Sequence, residues 1–201
     1  GCAEIDYLSQ YGDLLNLLNI SFAEEQGVEL TVVGPEVALA AGVADCFKAK
    51  GLRIFGPSKA AARIESSKEF AKELMAKYNI PTAGFKAFTE YAEAKAYVEA
   101  RPLPAVLKYD GLAAGKGVVI AETREDAKEA VRSMMADKVF GDSGSKIVIE
   151  EFLTGPEVSV LSFVDGKTIK IMSSAQDHKR AGDGDTGLNT GGMGTFSPSP
   201  F

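Results

Sequence analysis

The chain has 201 residues, 45% hydrophobic and 25% charged, an ordinary composition for one or two globular domains with a real core. A net charge of −6 excludes the broad basic surface that tracks nucleic-acid phosphates, so a polyanionic ligand must be held by local groups. No apolar run approaches the ~18–20 residues that span a bilayer and no signal-peptide pattern is present, while Cys2 and Cys46 form neither a metal-ligand spacing nor a disulfide framework; the expectation is a cytoplasmic protein with reduced thiols, no nucleic-acid partner and no membrane partner.

In chain order, Glu29–Val33 reads as a strand ending at Gly34-Pro35-Glu36. Leu39, Ala40, Val43 and Phe47 recur at helical spacing, which predicts one helix over Val37–Lys50 stopped by Gly51. Leu52–Phe55 is a second short strand ending in Gly56-Pro57. Strand, helix and strand with tight turns make a βαβ unit with parallel strands. The turns at Gly34-Pro35-Glu36 and Gly56-Pro57-Ser58 then lie at the usual ligand edge of such a unit, or are plain strand-to-helix turns. Ser67–Tyr78 is predicted helical, with Phe70, Leu74 and Tyr78 on its stripe and Asn79 and Pro81 ending it. A small α+β module starts at Phe85: a strand, a helix over Glu90–Ala100 with Tyr91, Ala94 and Val98 in register, and two strands around a glycine-rich turn. The helix Arg124–Met135 turns Ala127, Ala130, Val131 and Met134 inward, and its Met134-Met135 pair reads as core packing. Ile147-Val148-Ile149 is a buried strand, and Asp165-Gly166 between Val158–Val164 and Thr168–Met172 signals a hairpin.

The turn Asp110-Gly111-Leu112-Ala113-Ala114-Gly115-Lys116-Gly117-Val118 carries the chemistry. Gly111, Gly115 and Gly117 let the backbone approach phosphate oxygens, and Lys116 supplies a mobile positive charge. It is not a Walker loop, because three residues separate Gly111 from Gly115-Lys116, Gly117 follows the lysine, and a strand follows the turn. A hairpin flap over a nucleotide fits better; the bland alternative is an ordinary glycine-rich hairpin. Lys108 sits in an apolar strand, where it either meets a phosphate or points to water from a sheet edge. Lys68 follows Ser66-Ser67 at a helix start, where its charge opposes the dipole unless an anion lies nearby; otherwise it is a solvated lysine. Glu150-Glu151-Phe152-Leu153 reads as a hinge whose backbone can bond an adenine rim while Phe152 or Leu153 covers its face, or as a solvated strand edge. Farther on, Lys179 and Arg180 in Gln176-Asp177-His178-Lys179-Arg180 could hold a sugar phosphate, and Asp177 an amine or hydroxyl. His178 is assigned no role as a base. Asn189-Thr190-Gly191-Gly192-Met193-Gly194 offers backbone N–H groups from Asn189, Gly191 and Gly192 as an anion nest, or is a plain glycine loop.

Together, Gly111–Val118, Gln176–Arg180 and Asp185–Gly194 resemble the phosphoribosylamine–glycine ligases, ATP-grasp enzymes of purine synthesis. Val33-Gly34-Pro35-Glu36, Phe55-Gly56-Pro57, Glu65-Ser66-Ser67-Lys68, Ile80-Pro81-Thr82-Ala83 and Ile149-Glu150-Glu151-Phe152-Leu153 extend the likeness through nearly the whole chain. Leu188 departs from it, standing where the family usually has proline; losing that fixed φ loosens the loop by at most about 1 kcal/mol.

The resemblance implies an α/β fold: a remnant parallel-sheet N-terminal domain over residues 1–66, an incomplete ATP-grasp core over 67–85 and 156–201, and an α+β lid over 86–155. It implies ATP held by Lys68, Lys108, Gly111, Gly115, Lys116, Gly117, Glu150, Phe152, Leu153 and Glu157, the last on the ribose hydroxyls. Glycine and 5-phosphoribosylamine would be the substrates, held by Asp177, Lys179, Arg180, Asn189, Gly191 and Gly192. The implied reaction is ligation through glycyl phosphate to give glycinamide ribonucleotide. Mg²⁺ or Mn²⁺ would be bound by residues outside this chain, which itself has no assigned metal ligand or catalytic residue. The chain then reads as a fragment, inactive in isolation; a nucleotide-binding piece without turnover and another ATP-grasp carboxylate–amine ligase are the alternatives.

Overall fold

A computed structural model of the protein describes residues 12, 16–112, 117–137, 139, 146–184 and 186–201. These fall into two compact units, one running to Leu112 and resuming over Val119–Phe152, the other built mainly from Leu153–Phe201. Among the described residues no helix is long and apolar enough to cross a membrane.

The first unit begins with helix α1 (residues 16–25), which sequence reading did not single out. Strands β1 (Thr31–Val32) and β2 (Ile54–Phe55) pair in parallel with Thr31 opposite Ile54, as the βαβ pattern requires. The expected single helix between them is two, α2 (Glu36–Ala41) and α3 (Val43–Ala49). The break is at Gly42, whose φ of 90° is left-handed and whose N–H returns to the carbonyls of Ala38 and Leu39. This is a glycine-terminated helix end followed at once by a new helix, so apolar spacing ran on across a change of axis. Ile20, Ala23, Val43 and Phe47 form the core here, and Cys46 is in no disulfide, its sulfur accepting from Asn16 Nδ2 at 3.8 Å. Replacing Gly42 by alanine forces a side chain into left-handed backbone, with its Cβ 3.3 Å from Lys59 Cδ. The expected cost is about 1–2 kcal/mol, read as a lowered urea midpoint at unchanged slope.

Helix α4 (Lys59–Ser66), capped by Ser58, leads into α5 (Lys68–Lys77). The expected stripe of Phe70, Leu74 and Tyr78 is not the buried face of α5: Ala71 and Lys72 are buried, and Tyr78 is exposed. Apolar spacing misled here because the face that packs carries a lysine with partners.

A four-stranded sheet follows, in the order β3-β6-β4-β5, with β3 (Phe85–Phe88), β4 (Ala105–Tyr109), β5 (Val118–Ala121) and β6 (Ile147–Glu151). β6 is central and antiparallel to both neighbours, with Leu107 opposite Ile149 and Phe85 opposite Glu150. Because side chains alternate along strands, Ala105, Leu107, Ile147 and Ile149 share one face and Lys108, Val148 and Glu150 the other. α6 (Tyr91–Ala100) buries Ala94 and Val98, as read from spacing. α7 (Arg124–Val131) opens on a capping box between Thr123 and Asp126 and continues as a wider π turn, Arg132–Ala136. That widening brings the consecutive Met134 and Met135 into the core together, where the sequence expected them.

In the second unit, β7 (Ser162–Val164) and β8 (Ile169–Ile171) form the expected hairpin. Its turn is held by the Asp165 carboxylate, which accepts from the N–H of Lys167 and Thr168. Those two bonds hold the carboxyl below its ordinary pKa. β9 (Gln176–Asp177) pairs with β12 (Thr195–Phe196), and β10 (Arg180–Gly182) with β11 (Thr186–Asn189), both antiparallel.

Candidate functional site

Two clusters gather the residues that sequence reading selected, one in each unit. In the first unit, alternation along β4 and β6 puts Lys108 and Glu150 on the same sheet face, and their side chains meet at 3.0 Å. Glu150 is 4% exposed, so the solvated-edge reading does not describe it. Glu151 is the exposed member of the pair, and its carboxylate accepts from the N–H of Gly84 at 2.9 Å. Lys108 is neither unpaired nor pointing freely into water, because the buried carboxylate offsets the cost of its partial burial. The second oxygen, Glu150 Oε1, is buried and has no partner among the described residues.

Helix α5 brings Lys68 to the same region. Ser67 caps the helix by accepting from the N–H of Phe70 at 3.2 Å. Asp110, at the root of the glycine turn, adds a second acceptor: its Oδ1 takes the N–H of Glu69 at 3.1 Å, and Ser67 Oγ donates to its Oδ2 at 3.3 Å. A carboxylate at a helix N-terminus favours the dipole, so the anion that compensates Lys68 within the chain is Asp110. Lys68 Nζ donates to the Gly111 carbonyl at 2.9 Å, joining helix and loop. Gly111 has φ of 154°, and a Cβ there would sit 2.8 Å from Tyr109 Cε1, so a side chain is excluded by conformation and space. Gly117 is buried beside β5. Gly115 and Lys116, with the rest of the flap tip, lie outside the described residues.

Burial pulls the Lys68 pKa below its ordinary 10.5 more than nearby Asp110 and Glu65 raise it, and Lys108 lowers it further. A lysine depressed in the fold holds fewer protons than in the unfolded chain between its lowered pKa and 10.5. Stability therefore rises with pH across that window. Without nucleotide, the stability of the parent relative to Lys68→Met is expected to increase as pH climbs toward 10.5. Urea titrations at stepped pH check the sign.

Sequence reading missed three members of this cluster. Lys72, one turn after Lys68, is 8% exposed, lies 2.9 Å from Glu150 Oε2 and donates to Thr82 Oγ1 at 2.8 Å. Asp110 was read only as the first residue of the turn. Lys146 pairs with Glu69, which raises its pKa. The i, i+4 spacing of Lys68 and Lys72 was the available signal, since it puts two ammoniums on one helix face.

Phe152 closes the first unit and Leu153 opens the second; both are exposed, as is Glu157. In the second unit Asp177 and Lys179 pair at 2.6 Å, and this bond raises the Lys179 pKa. Arg180 Nη1 donates to the Gly187 carbonyl at 2.8 Å. The loop at Gly191 and Gly192 folds back on this strand: Thr190 N–H donates to Lys179 O, Met193 N–H to His178 O, and Gly192 N–H to Thr190 Oγ1. These bonds leave fewer free donors for an anion than a bare glycine nest would. Asn189 is placed opposite Arg180 by backbone register, and its side chain lies outside the described residues. A cleft of about 300 Å³ opens beside His178, Arg180, Gly182, Gly184 and Met193.

Residues 66–201 match the phosphoribosylglycinamide synthetase ATP-grasp (A) domain, and residues 5–65 the N domain of the same synthetase. The chain belongs to the phosphoribosylglycinamide synthetase family. A phosphoribosylamine–glycine ligase of Streptococcus pyogenes serotype M6 is 56% identical over 181 residues, 90% of this chain and 43% of the relative. That of Ralstonia nicotianae is 57% identical over 180 residues, again 90% and 43%. The chain thus spans less than half the length of these curated relatives. The crystal structure of the Thermotoga maritima phosphoribosylamine–glycine ligase superposes with a TM-score of 0.68 at 39% identity, over 74% of this chain and 38% of that one. A Campylobacter jejuni biotin carboxylase, solved as a β-γ-ATP complex, reaches 0.68 at 18% identity over 82% and 38%, a likeness of fold alone. The fold is α/β of the ATP-grasp type with the synthetase N domain ahead of it.

Proposed function

We propose that this chain supplies the nucleotide-binding part of an ATP-dependent carbon–nitrogen ligase that joins glycine to 5-phosphoribosylamine, through glycyl phosphate, to give glycinamide ribonucleotide. The observation that carries the reading is the cation cluster at the root of the glycine turn. Lys72 and Lys108 meet Glu150, whose second carboxylate oxygen is buried and without a partner among the described residues, and Lys68 bonds the Gly111 carbonyl at the root of the turn. A buried acceptor without a partner beside partly exposed ammoniums suits a ligand that presents a hydrogen-bond donor and a polyanion together. An adenine nucleotide has both.

In this reading ATP supplies the phosphoryl group that activates the glycine carboxylate. Lys68 and Lys108 neutralise phosphate charge, the backbone of Glu150, Phe152 and Leu153 bonds the base, and Glu157 accepts from the ribose by family resemblance. The glycine turn, with Gly111, Gly115, Lys116 and Gly117, covers the phosphates and excludes water. Asp177, Lys179, Arg180, Asn189, Gly191 and Gly192 are assigned to glycine and the ribosyl phosphate. The organisation is an N-terminal domain over 1–66, a core over 67–85 and 156–201, and a lid over 86–155. Among the described residues no three His, Cys, Asp or Glu side chains converge to hold a metal ion. Mg²⁺ or Mn²⁺ is assigned to residues of the complete enzyme, and the enzyme to the cytoplasm.

Two measurements test this. Calorimetry of the 201-residue polypeptide with ATP and ADP is expected to show saturable binding. Glycine-dependent phosphate release with fresh phosphoribosylamine is expected only from a polypeptide of the relatives' full length that includes this segment. Absence of nucleotide binding by either polypeptide contradicts the proposal.

A further inference from the structure

We infer that Lys72 is a positioning residue that keeps Lys108 available to nucleotide phosphate by taking its share of Glu150. The inference rests on the nucleotide site proposed above and adds a residue that contacts no ligand in it.

A lysine as buried as Lys72, at 8% exposure, persists only with strong partners. It bonds Glu150 Oε2 at 2.9 Å and Thr82 Oγ1 at 2.8 Å, and its Nζ also lies 5.8 Å from the Phe85 ring centroid. The same Oε2 lies 3.0 Å from Lys108 Nζ. One carboxylate oxygen therefore faces two ammoniums, and the three groups together carry one surplus positive charge. If the cluster served only to neutralise a buried carboxylate, one lysine would suffice. The two lysines are not equivalent. The Lys72 side chain is 10% exposed and is anchored a second time by Thr82, whereas that of Lys108 is 29% exposed and bonds only Glu150 among the described residues. The surplus charge is thus presented by Lys108, on the accessible side. Without Lys72, Lys108 and Glu150 become a neutral closed pair, and a phosphate must compete with the carboxylate for the same ammonium.

The test compares dissociation constants for ATP and for adenosine, which lacks the phosphates, across Lys72→Met, Lys72→Arg and the double variant Lys72→Met/Glu150→Gln. Lys72→Met is expected to weaken ATP about tenfold or more, the scale of one charged hydrogen bond, while adenosine changes much less. Lys72→Arg restores ATP binding. Because Glu150 is itself placed at the base, the double variant is read as the ratio of ATP to adenosine affinity. Adenosine reports what is lost at the base, and the ratio is expected to return toward the parent's, since Lys108 again carries an uncompensated charge; this ratio carries the comparison should Lys72→Met fail to fold. Equal weakening of ATP and adenosine in Lys72→Met, or an ATP-to-adenosine ratio in the double variant that stays as low as in Lys72→Met, overturns the inference and leaves the nucleotide site standing. Failure of the unsubstituted chain to bind ATP overturns both.

Discussion

Replacing Glu150 by alanine is expected to destabilise the first unit by about 3–5 kcal/mol, the usual consequence of removing one partner from a buried ionic cluster. Lys72 loses its only carboxylate partner among the described residues while remaining buried, and Thr82 alone cannot neutralise an ammonium. Lys108 suffers less, because its side chain is 29% exposed and water screens part of the loss. Glu150→Gln is expected to cost less than alanine, since an amide oxygen still accepts from Lys72. Urea unfolding of the ligand-free chain, followed by far-ultraviolet dichroism, measures both. A midpoint for Glu150→Ala within experimental error of the parent would mean that the lysines find other partners, and that the cluster does not hold α5 to β6.

The second large effect is on nucleotide binding. Lys68→Met/Lys108→Met is expected to weaken ATP by about 3–6 kcal/mol, two charged contacts at about 1.5–3 kcal/mol each. That is at least a hundredfold. The single variants are expected to fall between parent and double, and their sum to depart from additivity, because the Lys108 charge already disfavours the charged form of Lys68. Lys68→Met also frees the Gly111 carbonyl, so part of its effect reaches the phosphates through the loop. Titration calorimetry at fixed ionic strength reads the change, with adenosine as a control that lacks the charge. Unaltered ATP affinity in the double variant would remove these lysines from the site.

Much of this architecture follows from short stretches of chain. The Asp165-Gly166 hairpin, the buried face of α6 and the burial of Met134 and Met135 were read from turn residues or spacing over a few positions, and the parallel pairing of β1 with β2, which joins Thr31 to Ile54, from the strand–helix–strand order. Family membership was legible too: the likeness read from the glycine turn and the two downstream motifs is to the family whose N and ATP-grasp domains match this chain. Alternation along two strands even put Lys108 and Glu150 on one face once their register was known.

What sequence could not decide were the partners of charged groups. Lys108 and Glu150 are 42 positions apart, Asp110 and Ser67 43, and no local pattern links them. Spacing on α5 favoured the apolar stripe of Phe70, Leu74 and Tyr78, yet the helix turns Lys72 inward because a carboxylate from β6 waits there. Gly42 breaks a continuous apolar repeat because glycine alone takes φ of 90° without strain, and periodicity carries no record of backbone sign. Local preference and turn chemistry act over a few residues and are written in the chain; the burial of a charge depends on a partner brought from far away, which only tertiary packing supplies.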